Sequence, residues 1–395
     1  MKAIFTFFLA IISFIFSYSL SGCSSSNHDE PENGPDEVRR TVLVYIVATN
    51  NLGSSVNNFD GLDIREMIAG AKKGSIAPDA RWLVYHAPLS GEPALYELAN
   101  GDSASFKVLK SYEYGGSVTI ARMSEVLDDV AAFAPAKNYG LVLWSHASGW
   151  IVDGVEEPAK PLSFGNDNGS KMNISSLRSA IIGRGIDYIY FDACHMGTVE
   201  VAYELRDAVK YIVCGPAETP GEGMPYDENM GFLTDGSKEA LVAAARTTYS
   251  YYIPIFAEGK WQCTMTVVDV AALDELAEAT KAIYEQTPLP HPSENVTNYY
   301  GTTKVGNYLD FGEYVNALAE SEGIDASAFN EALQKVVIYK EAPELFYSDA
   351  YKRKFPIYNA SGLSTNVFNR ESDFTNKNYN TLRWAQDVVA YHLHD

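Results

Sequence analysis

Basic residues are in short supply. The 395-residue chain carries 30 Lys and Arg against 51 Asp and Glu, a formal net charge of −21 at pH 7. No basic block offsets that balance, and phosphate contacts need Lys and Arg, so the sequence argues against a nucleic-acid partner. Solubility is one reading of the charge; a preference for cationic peptides or ligands is the sharper one. Cysteine is also scarce, at 4 residues. No Cys or His spacing matches a zinc motif, and no glycine-rich phosphate loop is present. The acids Asp153, Glu156, Glu157, Asp167 and Asp227 are too scattered to compose a calcium loop. Internal repeats are absent, and no linker separates a second domain. What is abundant is core material: 46% apolar and 12% aromatic residues place the chain among globular proteins with a large core.

One long apolar run stands at the start. Lys2 is followed by a largely apolar stretch from Ala3 to Leu20 and by Leu20-Ser21-Gly22-Cys23. This resembles a bacterial lipoprotein signal with its lipobox, which implies removal of residues 1–22 and acylation of Cys23. Length alone also fits an ordinary transmembrane anchor. Ser24 to Arg40 holds Ser, Asn, Pro, Gly and acids with almost no large apolar side chain, so 23–40 reads as a lipidated cysteine and disordered tether. The expected location is the bacterial cell envelope, lipid-anchored at the outer membrane or cell surface. Folding is expected from Thr41, with residues 41–395 as one domain.

From Thr41 the chain alternates. Apolar runs at 41–49, 81–86, 139–145, 186–191, 210–214 and 263–269 read as strands, and 95–98 with 105–109 as a hairpin or edge pair. Helical spacing marks 59–71, 118–133, 174–182, 198–205, 238–252, 273–285, 309–319 and 327–336, and 363–368 is a candidate late strand. Strands separated by helices imply parallel βαβ units with right-handed crossovers, an α/β protein with a helix-covered sheet.

The run Ile186 to Phe191 ends abruptly in Asp192-Ala193-Cys194-His195-Met196-Gly197. Polar residues at the carboxyl end of such a strand sit where open α/β sheets collect their chemistry. The helix that follows begins near Thr198, and its dipole would favour a Cys194 thiolate. A cysteine nucleophile needs a base, so a histidine within reach is expected. Of seven histidines, His28 lies in the tether, His392 and His394 at the extreme terminus and His291 among prolines. His195 adjoins Cys194, and neighbours rarely aim side chains at each other; it assists, occludes, or is simply a partly exposed neighbour. His86 and His146 both end predicted strands. His146 is preferred, because it follows Leu143-Trp144-Ser145 and precedes the small-residue turn Ala147-Ser148-Gly149 before Trp150. It also precedes Cys194 by about 50 positions, the separation found in caspases. Cys214 and Cys263, each in an apolar strand, are assigned to core packing. Asp192 alone could cap the following helix.

Trp144 to Trp150, then Asp192 to Gly197 and Glu200 to Leu205, resemble the clostripain family of cysteine peptidases, relatives of caspases, gingipains and legumain. Tyr45 to Asn51, Glu218 to Tyr226, Tyr308 to Phe311 and Gly362 to Ser364 resemble family landmarks in the same order. The resemblance implies a caspase-like, mostly parallel sheet covered on both faces. It implies His146 as general base and Cys194 as nucleophile, with the backbone N–H groups of Ala147 and Cys194 as oxyanion hole. It further implies cleavage after Arg or Lys, with Asp192 as the pocket acid and Glu218 and Thr219 as substrate contacts. Peptides or proteins with basic residues are then the partners, with no cofactor and no metal required by any motif, although relatives bind calcium. Two departures stand out. The usual glycine after the histidine is Ala147, which a left-handed backbone would strain. In the loop where relatives self-cleave, Lys160 precedes Pro161, an unfavourable scissile bond, and Lys171 is the other basic candidate. These departures motivate a second reading, a non-catalytic lipoprotein that keeps the fold to bind peptides or partners.

Overall fold

The apolar runs become one sheet. In the computed structural model, which describes residues 36–150, 164–257, 262–287, 296–300, 308–348, 352–366 and 379–389, the first half of the chain forms β1 (Val38–Val47), α1 (Phe59–Lys72), β2 (Ala80–Ala87), β3 (Ala94–Leu98), β4 (Phe106–Ser111), α2 (Ile120–Phe133) and β5 (Ala136–Trp144). A short hairpin, β6 (Phe164–Asp167) and β7 (Ser170–Met172), precedes α3 (Ile174–Ile181), β8 (Ile186–Asp192), α4 (Val199–Leu205) and β9 (Tyr211–Cys214). Then come α5 (Tyr226–Asp235), α6 (Lys238–Ala257), β10 (Met265–Asp269) and α7 (Leu273–Tyr284). The chain closes with β11 (Leu309–Asp310), α8 (Phe311–Glu322), α9 (Ser327–Val336), β12 (Val337–Glu341), β13 (Leu345–Ser348), β14 (Arg353–Pro356) and β15 (Ser364–Thr365). The expectations for the N-terminal segment with Cys23, for Lys160-Pro161, and for the prolines near 290 lie outside the described residues.

The nine-stranded sheet runs β12-β10-β9-β8-β5-β1-β2-β3-β4. Its centre is parallel, β1 pairing with β2 and β5, and β8 with β5 and β9. Both edges are antiparallel: β10 runs against β9 and β12, and β3 runs against β2 and β4. The 263–269 run, expected to join a parallel unit, is thus an antiparallel strand. The sheet is mostly parallel and caspase-like, as expected.

Side-chain parity separates two cores. Leu43, Tyr45 and Val47 of β1, Leu141 and Leu143 of β5, and Ile189 and Phe191 of β8 face α2, α3, α4, α7, α8 and α9. Val42, Val44, Ile46, Val142, Trp144, Tyr188 and Tyr190 face α1, α5 and α6, through Met67, Met230 and Leu241 among others. Both faces being covered explains why the central strands read as continuous apolar runs rather than alternating ones. Helix starts are set locally: the Thr119 side chain accepts from the Arg122 N–H at 3.2 Å, and Asn173 accepts from Ser176 at 2.7 Å. β1 begins at Val38, three residues before the expected start, because its first backbone N–H groups already find partners beside β5 and β2, Val38 donating to the Pro135 carbonyl and Arg39 to the Asp79 carbonyl, each at 3.0 Å. No helix among the described residues is long and apolar enough to cross a membrane.

Candidate active site

Register delivers His146 and Cys194 to the same edge. Trp144 of β5 pairs with Asp192 of β8, so the two parallel strands end level, and each of the two residues lies two positions further on. β1 connects onward to β2 on one side and its neighbour β5 connects onward to β8 on the other, so the strand order reverses at the carboxyl ends of β1 and β5, the crevice in which α/β sheets bind ligands. A cavity of about 490 Å³ opens there, lined by His146, Ala147, Asp192, Cys194, Glu218 and Thr219 among others. All six predicted site residues of the folded domain therefore share one cavity. His86 does not reach it: its Nε2 bonds Asp60 Oδ2 at 2.8 Å, and it lines a separate apolar cavity of about 200 Å³.

The loop that carries His146 is tied down on both sides. Ser145 Oγ donates to the Val47 carbonyl at 2.9 Å, and Gly165 N–H donates to the His146 carbonyl at 2.9 Å. The ring is held by Asn51, whose Oδ1 lies 2.7 Å from Nε2. Since an amide oxygen only accepts, Nε2 carries the proton and Nδ1 is the basic nitrogen. Asn51 sits in a 3₁₀ turn just after β1, and sequence reasoning placed it in a landmark without giving it this part.

Half-buried Cys194 is clasped by Thr219, whose N–H approaches Sγ at 3.4 Å and whose carbonyl lies 3.6 Å from it. Thr219 Oγ1 also donates to the Ala193 carbonyl at 3.2 Å. Burial pushes the Cys194 thiol up to about 12, and the charges of Glu218 and Asp192 push the same way, against the Thr219 N–H. The helix expected just after Cys194, α4, starts at Val199, capped by Thr198, and burial is the largest influence on the thiol. Cys194 rests as a thiol and depends on a base. Cys214 and Cys263 are buried free cysteines in the core, as expected.

Asp192 forms the cavity floor and shares the face of Tyr188 and Tyr190, not of Phe191. Its Oδ2 accepts from Met224 N–H at 3.2 Å and Tyr226 O–H at 3.1 Å, and Oδ1 accepts no hydrogen bond among the described residues. It caps no helix; Thr198 does that for α4. Gly223, with φ of +65°, lies so close that a Cβ there would stand 2.6 Å from Asp192 Oδ2. Burial raises the carboxyl to about 6. On α1, Asp63 is fully buried, and its carboxyl is held well above the usual range by burial first and then by the charges of Asp192 and Glu66, against the Trp144 indole N–H. The sequence carried no sign of Asp63 beyond an acid on the buried face of a helix. Glu218 lines the wall and accepts from Ser348 Oγ at 2.7 Å, so it is braced by β13.

Two concerns from the sequence resolve here. Positive φ falls on Gly149 (+61°) and not on Ala147, so the alanine is unstrained. His195 is buried rather than partly exposed, its Nδ1 3.1 Å from the Pro216 carbonyl. Among the described residues no group of three or more His, Cys, Asp or Glu side chains could hold a metal.

A thiol and an imidazole brought to one cavity by neighbouring parallel strands define an α/β cysteine peptidase with a caspase-like sheet. The chain belongs to the clostripain family, peptidase C11, whose sequence model matches residues 44–389. A secreted C11 cysteine protease from Bacteroides thetaiotaomicron, solved with an irreversible peptide inhibitor, is 26% identical with a TM-score of 0.76, over 90% of this chain and 99% of that one. An inactive zymogen C11 protease from Parabacteroides distasonis is 28% identical with a TM-score of 0.75, over 90% and 99%. No curated protein matches.

Proposed function

We propose that this cysteine peptidase is an envelope-anchored endopeptidase that cleaves after Arg or Lys through a His146/Cys194 dyad. The observation that supports this most is the cavity floor: a buried carboxylate with an unengaged oxygen, Asp192 Oδ1, in a pocket that holds Cys194 and has no Lys or Arg among its described lining residues. A guanidinium or ammonium entering it would meet charge-assisted acceptors in a desolvated setting. Glu218 and Glu222 on the wall add to the negative potential, and Thr219, in contact with Cys194 Sγ, would lie beside the scissile bond.

In this reading His146 Nδ1 takes the Cys194 proton as the thiolate attacks the scissile carbonyl carbon. The resulting oxyanion is met by the N–H groups of Ala147 and Cys194. Collapse breaks the C–N bond, the leaving amine takes the proton from His146, and water then hydrolyses the thioester by the same route. The anchor rests on Leu20-Ser21-Gly22-Cys23; Cys23→Ser should abolish incorporation of a palmitate analogue in cells. The chemistry is tested with an Arg-directed acyloxymethylketone on the purified protein. Labelling at Cys194, lost in Cys194→Ala, is expected, whereas a folded protein that stays unlabelled would favour peptide binding without catalysis.

A further inference from the structure

We propose that Tyr308 is a positioning residue that sets the spacing between the His146 loop and the Cys194 loop. The inference rests on the dyad proposed above and adds a third element to it. Tyr308 precedes β11, outside the central sheet, yet it touches both loops. Its hydroxyl donates to the Ser148 carbonyl at 2.7 Å, two residues after His146. Its ring stacks on the ring of His195, the residue after Cys194, with centroids 4.5 Å apart and planes 27° apart. Tyr300, which lines the cavity, stacks on the Tyr308 ring with centroids 5.3 Å apart, and its ring is tilted against that of His195 at 5.6 Å.

The backbone at the junction is unusual at three points. Tyr308 (φ +58°), His195 (φ +57°) and Gly149 (φ +61°) are all left-handed, and for a residue as bulky as Tyr that conformation is costly and persists only where surroundings enforce it. The three meet: a Cβ on Gly149 would lie 2.8 Å from the His195 carbonyl oxygen and 3.5 Å from Tyr308 Cε1. His195 is pinned by its own N–H to Ala217 O at 2.9 Å and by its ring to Pro216 O. Tyr308 is pinned by Tyr299 N–H to its carbonyl at 2.9 Å and by the pairing of β11 with β15. β15 in turn returns to the cysteine loop, Ser364 N–H donating to Gly197 O at 2.9 Å. Two loops that leave the sheet at level positions are therefore bridged by one side chain whose own anchor is fastened to one of them. General-base catalysis by His146 depends on the spacing so fixed.

The test compares wild type with Tyr308→Phe, which keeps the ring and loses the hydroxyl, and Tyr308→Leu, which loses both. Three readouts are taken: kcat and KM on an Arg peptide amide, the pH profile of iodoacetamide alkylation at Cys194 assigned by mass spectrometry, and the thermal midpoint. Tyr308→Phe is expected to lower kcat about tenfold with KM within about twofold, and to move the alkylation midpoint upward by about half a pH unit or more. Tyr308→Leu should do both more strongly, and if it fails to fold, Tyr308→Phe decides alone. Wild-type kcat and alkylation in the variants would overturn the proposal, as would a loss of activity matched by loss of folded protein with the alkylation midpoint unmoved. Should wild type hydrolyse no basic peptide, the specificity reading fails, and the alkylation profiles still decide on Tyr308.

Discussion

At Asp192, the proposed recognition of a basic side chain would be coupled to protonation. Burial raises this carboxyl to about 6, so it is ionised above that pH and neutral below it. If it receives the basic side chain, kcat/KM for an Arg substrate falls as pH drops through about 6, and the fall is carried by KM. Asp192→Asn should remove the acid limb and lower kcat/KM on Arg and Lys substrates by about 100-fold, the scale of one lost charged hydrogen-bond partner. An unchanged preference in that variant would move the pocket charge to Glu218 or Glu222. Asn51 acts on the opposite side. With its Oδ1 holding His146 Nε2 at 2.7 Å, Asn51→Ala frees the ring to rotate, and kcat should fall about tenfold or more while KM holds. Equal kcat in wild type and Asn51→Ala would show that the loop, not the amide, orients the base. That His146, Cys194 and Asp192 would share one cavity was readable because each lies at or just past the end of an apolar strand, at the edge where chemistry gathers. Asn51 and Asp63 were not, since their parts arise only when β1 and α1 pack beside β5 and β8.

The helix after the cysteine is fastened to the last part of the fold. Glu200 of α4 is fully buried, and its Oε1 accepts from Thr365 Oγ1 and Asn366 N–H, both at 2.9 Å. Glu200→Ala would leave both donors unpaired beside a void, a cost of about 2–4 kcal/mol. Glu200→Gln keeps an acceptor oxygen, and burial already raises the carboxyl to about 7, so the neutral amide should cost far less. Urea unfolding of the two variants measures the difference, and equal destabilisation would mean the contact contributes nothing specific. At this scale the central strands were legible because burial on both faces produces uninterrupted apolar runs. The β6–β7 hairpin was hidden by its composition, Phe-Gly-Asn-Asp and Ser-Lys-Met, which no period distinguishes from a loop. Helix α5 was hidden too: it starts at Tyr226 directly after Pro225, at the end of a stretch read only as a family landmark, and its apolar contacts Met230 and Leu233 are few. The edge strands β12 to β14 are short and partly exposed, and their pairing is set by contacts with β10 and with each other.

Over the whole molecule, buried acids govern how stability depends on pH. Burial raises Asp192 to about 6 and both Glu66 and Glu200 to about 7, and it raises Asp63, Asp310 and Glu313 as well. In the unfolded chain such groups titrate near 4, so the folded state binds their protons more tightly. Their contribution is complete below about 4, and for Asp192, Glu66 and Glu200 it is lost as pH rises through about 6 to 7. Asp207 is opposite in sign, lowered to about 2 by its bond to Arg178, but its contribution disappears only below about 4 and so stays constant across this window. The formal charge of −21 adds to the trend, because each proton taken up relieves self-repulsion. The thermal midpoint should therefore be higher at pH 5.5 than at pH 8, by at least a few degrees. A higher midpoint at pH 8 would mean that these carboxyls are not held neutral by the fold. Glu200→Gln should flatten the slope between pH 6 and 8, since it removes one of the two acids that titrate near 7. The proposed pocket makes the opposite demand, for Asp192 would bind a cation only when ionised. Activity on basic peptides is accordingly expected to peak at a higher pH than stability, and the interval between the two optima should narrow in Asp192→Asn, whose residual activity has lost its acid limb.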